Sequence, residues 1–278
     1  MDFRSHLGRQ LDFRNRANIA VIAVCAVAGA IGIWLWLSGE PGKVVLSPVY
    51  AFLIWALLRE IDPDHNWTAL AGSILTAAWG LAGGPVVSGL ALTGMMIAAR
   101  IVTSTTGRRP LLVDLVGVTV FGIVIGYTVA GWVGGFGIAI AIYLDDRLRG
   151  DDHRVDSHRG ALMAASITAL GTTVVATASG AFTERLVDIE QWAVLVAGAV
   201  ALILLIRDPA PPVSHVDARH AAFISEQRLH ISRSLIGCLV FVASIITGSE
   251  SPGLIGPVVA LGLAVISNEV ELLRRRRL

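Results

Sequence analysis

Lysine is almost missing from this chain: of 22 basic residues only Lys43 is a lysine, a bias associated with high-GC bacterial genomes. Cysteine is nearly as scarce. Cys25 and Cys238 both lie inside apolar runs, so neither a disulfide framework nor a thiolate metal site has support, and both read as small core residues. Charge is thin as well. Charged residues make up 15% of the chain, against about a quarter in a soluble domain. Apolar residues reach 54% and the mean hydropathy is +0.70, which excludes a water-soluble fold and places the chain in a bilayer. There is no phosphate-binding G-x-x-x-x-G-K-[ST] loop, no G-x-S-x-G elbow and no H-E-x-x-H helix, so an ATP-driven pump, a serine hydrolase and a zincin are all disfavoured. The net charge of +1 says nothing until the charges are sorted by loop, and no nucleic-acid partner is expected.

What is present is a series of oily runs. Residues 17–37 and 44–58 are apolar, as is 67–99 apart from a Gly83–Gly84–Pro85 interruption that reads as a hairpin turn. The run 111–144, about 34 residues, makes a helix of roughly 51 Å, too long for one crossing. It is expected to fold back at Gly131–Gly137. Residues 161–182, 192–206 and 235–267, the last broken at Ser249–Gly253, complete the set. The expectation is an all-α transmembrane bundle of about ten spans, built largely of short hairpins, forming a single membrane domain over 1–278. Nothing at the N-terminus resembles a cleavable signal peptide, so the first run is expected to stay in place.

Charge then orients the bundle, because short cytoplasmic loops are rich in Arg and Lys. With both ends inside, the cytoplasmic parts are the N-terminal segment 1–16, the turns 59–66 and 100–110, the central loop 145–159, the juxtamembrane segment 207–233 and the basic tail 268–278. They hold 20 of the 22 basic residues and leave only Lys43 and Arg185 outside. They also hold all seven histidines and 15 of the 21 carboxylates, with Asp114 the one carboxylate inside a run. This is the arrangement of an inner-membrane protein whose chemistry faces the cytoplasm. The tryptophans, including Trp34, Trp36, Trp55 and Trp67, fall near run ends as an interfacial belt requires. The segment 213–233 reads as an amphipathic helix on the inner membrane surface, and Arg274–Arg277 would attract anionic lipid headgroups.

Three groups of residues carry candidate chemistry. Asp145, Asp146, Asp151 and Asp152 in the central loop, with Asp62 and Asp64 in the 59–66 turn, are oxygen ligands of the kind that hold Mg²⁺ on a diphosphate. In helical conformation, Asp145 with Arg149 and Arg147 with Asp151 instead form compensating pairs four residues apart. Asp62, just before Pro63, also suits a helix cap. The placement of the two acidic clusters resembles that of membrane-embedded aromatic prenyltransferases. That resemblance implies a Mg²⁺-dependent enzyme on a prenyl or lipid-linked diphosphate. The chain departs from it in lacking the Asn-Asp-x-x-Asp-x-x-x-Asp motif, in the 145–152 spacing, and in having ten spans instead of nine.

Asp114 shares a helical stripe with Val118, Gly122 and Gly126, which directs it inward, toward either a structural ion pair or a proton or ion site. The 161–182 run carries Thr168, Thr172 and Thr173 among six hydroxyls, which either pack against neighbours or line a polar cavity. Three functions stay open: a small-solute transporter or permease-like bundle, which leads; the metal-dependent enzyme, with Mg²⁺ as its only implied cofactor; and a membrane scaffold without a small-molecule site. No protein partner is indicated.

Overall fold

A computed structural model describes residues 7, 13, 15–40, 42–82, 89–106, 110–128, 130–149, 155–181, 215–216 and 219–247. The described residues form eight α-helices: α1 Arg16–Leu37, α2 Ser47–Ile61, α3 Asn66–Leu81, α4 Gly89–Thr103, α5 Leu112–Ile125, α6 Gly131–Arg147, α7 Val155–Ala178 and α8 Glu226–Thr247. A 3₁₀ turn at Gly42–Leu46 leads into α2, and one antiparallel pair, β1 His215–Val216 with β2 Arg219–Phe223, precedes α8.

Local signals set several boundaries. Asn15 caps α1, its side-chain oxygen accepting from the Ala17 N–H at 2.9 Å. Gly39, just past the end of α1, has φ +100°, a backbone open to glycine and strained for other residues. Proline in the first turn starts α2, where its missing N–H costs no helical bond.

Three stretches are long and apolar enough to cross a bilayer: Arg16–Leu37, Val44–Ile61 and Arg159–Ala178, of 22, 18 and 20 residues. Gly89–Thr103 and Leu112–Ile125 are apolar but shorter.

The exterior is oily. Ile33, Trp34 and Leu37 on α1, Leu112, Val116, Val120 and Val124 on α5, and Met163, Ile167, Leu170 and Val174 on α7 are all exposed. Inside sits a core centred on α2, α4 and α6, filled by Ile54, Leu57, Leu58, Leu92, Met95 and Ile138, with many small and hydroxylated side chains among them. Small and hydroxylated residues between the large ones let the helices approach closely.

The chain turns between the end of α5 at Ile125 and the start of α6 at Gly131, not within Gly131–Gly137, which is helical. The glycines serve packing. A Cβ on Gly134 would lie 3.3 Å from the Gly94 Cα of α4, and one on Gly135 would lie 2.5 Å from the Gly122 carbonyl of α5. A Cβ on Gly137 would meet Leu239 of α8 at 2.5 Å. α6 is therefore the element against which α4, α5 and α8 close.

Two further expectations need correction. The single amphipathic helix over 213–233 gives way to the β1–β2 hairpin, and helix begins only at Glu226, from which α8 runs on without a break to Thr247. Trp55 is not an interfacial residue: it is buried, with Phe52 beside it at 5.7 Å between ring centroids and the Arg59 guanidinium 6.0 Å above its ring. The expected spans at 192–206 and 254–267, and the turns at Gly83–Pro85 and Ser249–Gly253, lie outside the described residues.

Candidate functional site

The C-terminal ends of α2, α4 and α6 converge at one end of the bundle, together with the start of α8. The last carbonyls of a helix lack partners within it and carry the negative end of its dipole. Three such ends in one place, along with Glu60, Asp62, Asp145 and Asp146, all buried, demand cations. The chain supplies them as arginines.

Glu60, in the last turn of α2, is 0% exposed. Arg100 of α4 donates to its Oε1 from both Nε and Nη2 at 2.8 Å, and the Thr105 hydroxyl donates to Oε2 at 2.6 Å. Arg100 also reaches the Leu7 carbonyl at 3.1 Å, which ties the N-terminal segment to this end. Thr103 gives its hydroxyl to the Ala99 carbonyl at 2.9 Å, with Glu60 Oε2 a further 3.5 Å contact.

Asp62 follows two residues later and is 2% exposed. Its Oδ1 accepts from His65 Nδ1 at 2.8 Å and its Oδ2 from the Thr68 hydroxyl at 3.0 Å. The N-cap position of α3 belongs to His65 and not to Asp62, which holds the side chains of His65 and Thr68. Arg233 of α8 donates through Nε to the Ile61 carbonyl at 2.6 Å and places Nη2 3.7 Å from Asp62. Burial pushes the Arg233 guanidinium below its ordinary pKa, while Asp62 and, beyond it, Asp64 push in the opposite direction.

Asp145, at the end of α6, binds Arg149 one turn on, the helical pairing expected from the spacing. It also accepts from Arg228 Nη1 of α8 at 2.8 Å, and the same Nη1 lies 3.0 Å from the Val102 carbonyl of α4. Ser232 reaches the Ala99 carbonyl at 3.4 Å. The first two turns of α8 thus fasten the ends of α2, α4 and α6 together. Glu60, Arg228 and Arg233 were not among the residues singled out from the sequence.

Asp64 stands at the edge of this layer and Asp146 is buried within it. Asp151 and Asp152 lie outside the described residues. Among the described residues, no three His, Cys, Asp or Glu side chains group closely enough to hold a metal ion.

Asp114 and the threonines sit elsewhere. Asp114 faces inward with Val118, Gly122 and Gly126, as the stripe requires, and its Oδ2 accepts from the Leu111 N–H at 3.0 Å, closing the start of α5. Thr168 and Thr172 of α7 are buried against α5, Thr168 with the Thr119 hydroxyl at 3.1 Å and Thr172 donating to the Gly122 carbonyl at 3.1 Å. Thr173 is on the exposed face of α7 and donates to its own helix at Ala169, 2.8 Å away.

Comparison with protein-family models, with curated proteins and with solved structures finds no match for this chain.

Proposed function

We propose that this chain is a multi-pass protein of a bacterial inner membrane, with about ten spans and both termini in the cytoplasm, and that it works as a permease-like bundle for a small solute. The observation that carries the proposal is Glu60. It lies within an apolar stretch long enough to span, is wholly enclosed, and pairs with an arginine of the neighbouring apolar helix α4. Ionisable groups held inside a helical bundle are costly, and where they persist they mark pathways or the gates on them. On this reading the arginine–carboxylate layer is the closed cytoplasmic gate. Its composition suits that role, since a compensated buried ion pair is close to break-even against water and can be exchanged for hydration with little net loss. Arginine-rich segments flanking the spans hold the orientation and contact anionic headgroups.

A static scaffold is the second reading, favoured by one observation: Thr168 and Thr172 bond directly to α5, leaving that part of α7 filled by protein. The metal-dependent enzyme would need Asp145 and Asp62 to exchange their present cations for Mg²⁺ and to recruit Asp151 and Asp152. Vesicles reconstituted with the protein and loaded with candidate ions and small metabolites distinguish the first two. A permease releases at least one of them faster than protein-free vesicles do, and Glu60→Gln changes that rate. Release indistinguishable from protein-free vesicles across the panel favours the scaffold.

A further inference from the structure

We infer that α8 is a lever, pivoting about Leu239, whose first two turns form the moving half of a latch: the arginine–carboxylate layer at the ends of α2, α4 and α6. The inference deepens the permease-like reading and rests on it for what the motion serves. The helix is held in two different ways along its length. From Leu235 onward it is fixed by apolar packing, with Leu235, Ile236, Leu239, Val240 and Ala243 all part of the main core. Before that point the contacts to α2, α4 and α6 are largely polar: Arg228 to Asp145 and Val102, Ser232 to Ala99, Arg233 to Ile61 and Asp62. Only Ile231, partly buried, reaches the main core from this half, while Leu229 packs with Ile224 in a separate small cluster. Ionic contacts can be traded for water, but the apolar ones cannot without exposing the core.

The pivot is visible in the packing. Leu239 sits in the notch left by Gly137, so close that a Cβ there would lie 2.5 Å from its Cδ1. Because α8 is one unbroken helix, a tilt about Leu239 moves each residue in proportion to its distance from that point, so the packed residues Leu235 and Ile236 shift by only about 1–2 Å. From Leu239 to Ser225 is roughly 21 Å at 1.5 Å per residue, so a tilt of about 15° carries Ser225 about 5 Å. The same tilt carries Arg228 about 4 Å, enough to lift it off Asp145, and Arg233 about 2 Å, enough to lengthen its contacts with Ile61 and Asp62 and loosen the end of the bundle. The β1–β2 hairpin, joined to α8 through Ile224 and Ser225, moves with it.

Spin labels at Ser225→Cys and Gly160→Cys test this in the full chain, reconstituted in liposomes with Cys25→Ala and Cys238→Ala. Ser225 and Gly160 are both exposed, and a Cβ at Gly160 meets nothing within 4 Å. Pulsed dipolar spectroscopy should give one main distance with the latch intact. The double variant Asp62→Asn/Asp145→Asn should add a second population displaced by about 5 Å, and a disulfide between Ala99→Cys and Ser232→Cys should remove it. Arg228→Gln, which leaves the Asp62–Arg233 contact in place, should produce a smaller second population and guards against a double variant that does not fold. A single unmoved distance in both release variants overturns the lever, as does broadening that the disulfide fails to reverse. Solute release plays no part in this readout. Two distances without any solute release would keep the lever and remove the permease reading, and one distance with release would do the reverse.

Discussion

Removing Arg100 should be more damaging than removing Arg100 and Glu60 together. In the native bundle Glu60 is fully enclosed and takes two guanidinium bonds at 2.8 Å together with the Thr105 hydroxyl at 2.6 Å. Arg100→Met leaves the carboxylate with hydroxyl donors alone, and breaking a buried pair from one side costs about 3–5 kcal/mol. Glu60→Leu is milder. Arg100 is 16% exposed and keeps the Leu7 carbonyl, so its charged head can turn toward water, and the loss should be about 1–3 kcal/mol. The double variant replaces the pair with apolar side chains of similar size and should be more stable than Arg100→Met alone, giving a coupling of about 2–3 kcal/mol. Unfolding of purified protein in detergent, followed by tryptophan fluorescence, measures all four corners of the cycle. The reasoning is refuted if Arg100→Met loses under about 1 kcal/mol, or if the two single losses simply add.

Glycine substitutions should divide by what their Cβ would meet. Gly135→Ala, driven against the Gly122 carbonyl at 2.5 Å and Thr172 at 2.8 Å, should cost about 1–3 kcal/mol in the same unfolding assay. Gly117→Ala, exposed on α5 with nothing within 4 Å, should gain about 0.5–1 kcal/mol from helix propensity. Thr172→Val keeps the shape of the side chain but loses its bond to the Gly122 carbonyl, and about 0.5–1.5 kcal/mol should go with it. Arg233→Met strips both the Ile61 carbonyl and Asp62 of their α8 partner and should lose about 3–5 kcal/mol. Faster proteolysis of the region around the start of α8 would register that loss independently.

The three stretches long and apolar enough to cross a bilayer were legible in the sequence as unbroken oily runs. The stripe Asp114, Val118, Gly122 and Gly126 was legible too, since helical periodicity alone brings those positions to one face. Asp145 with Arg149 followed from four-residue spacing. The turn before α6 did not, because a glycine cluster has the same signature whether it breaks a helix or lets two helices touch. Glu60 was missed because dividing the chain at Arg59 assigned it to a polar turn, whereas α2 continues to Ile61. Its spacing from Asp62 and Pro63 hid the fact that the last turn is already in the core. The arginines of α8 were out of reach altogether. Arg233 and Ile61 are 172 residues apart, and only the fold brings a surface-like polar helix start under the ends of three others. The β1–β2 hairpin escaped because Val216 and Phe223, seven residues apart, also fit one face of a helix.

The account stands on the arginine-rich ends of these helices lying in the cytoplasm. Cysteines introduced singly at Ser38, just past the end of α1, and at Gly160, near the start of α7, test it directly in a background without Cys25 and Cys238. Treated with a membrane-impermeant thiol reagent, intact cells should label Ser38→Cys at once and Gly160→Cys only after the membrane is opened. Labelling of Gly160→Cys in intact cells, with Ser38→Cys protected, would contradict it.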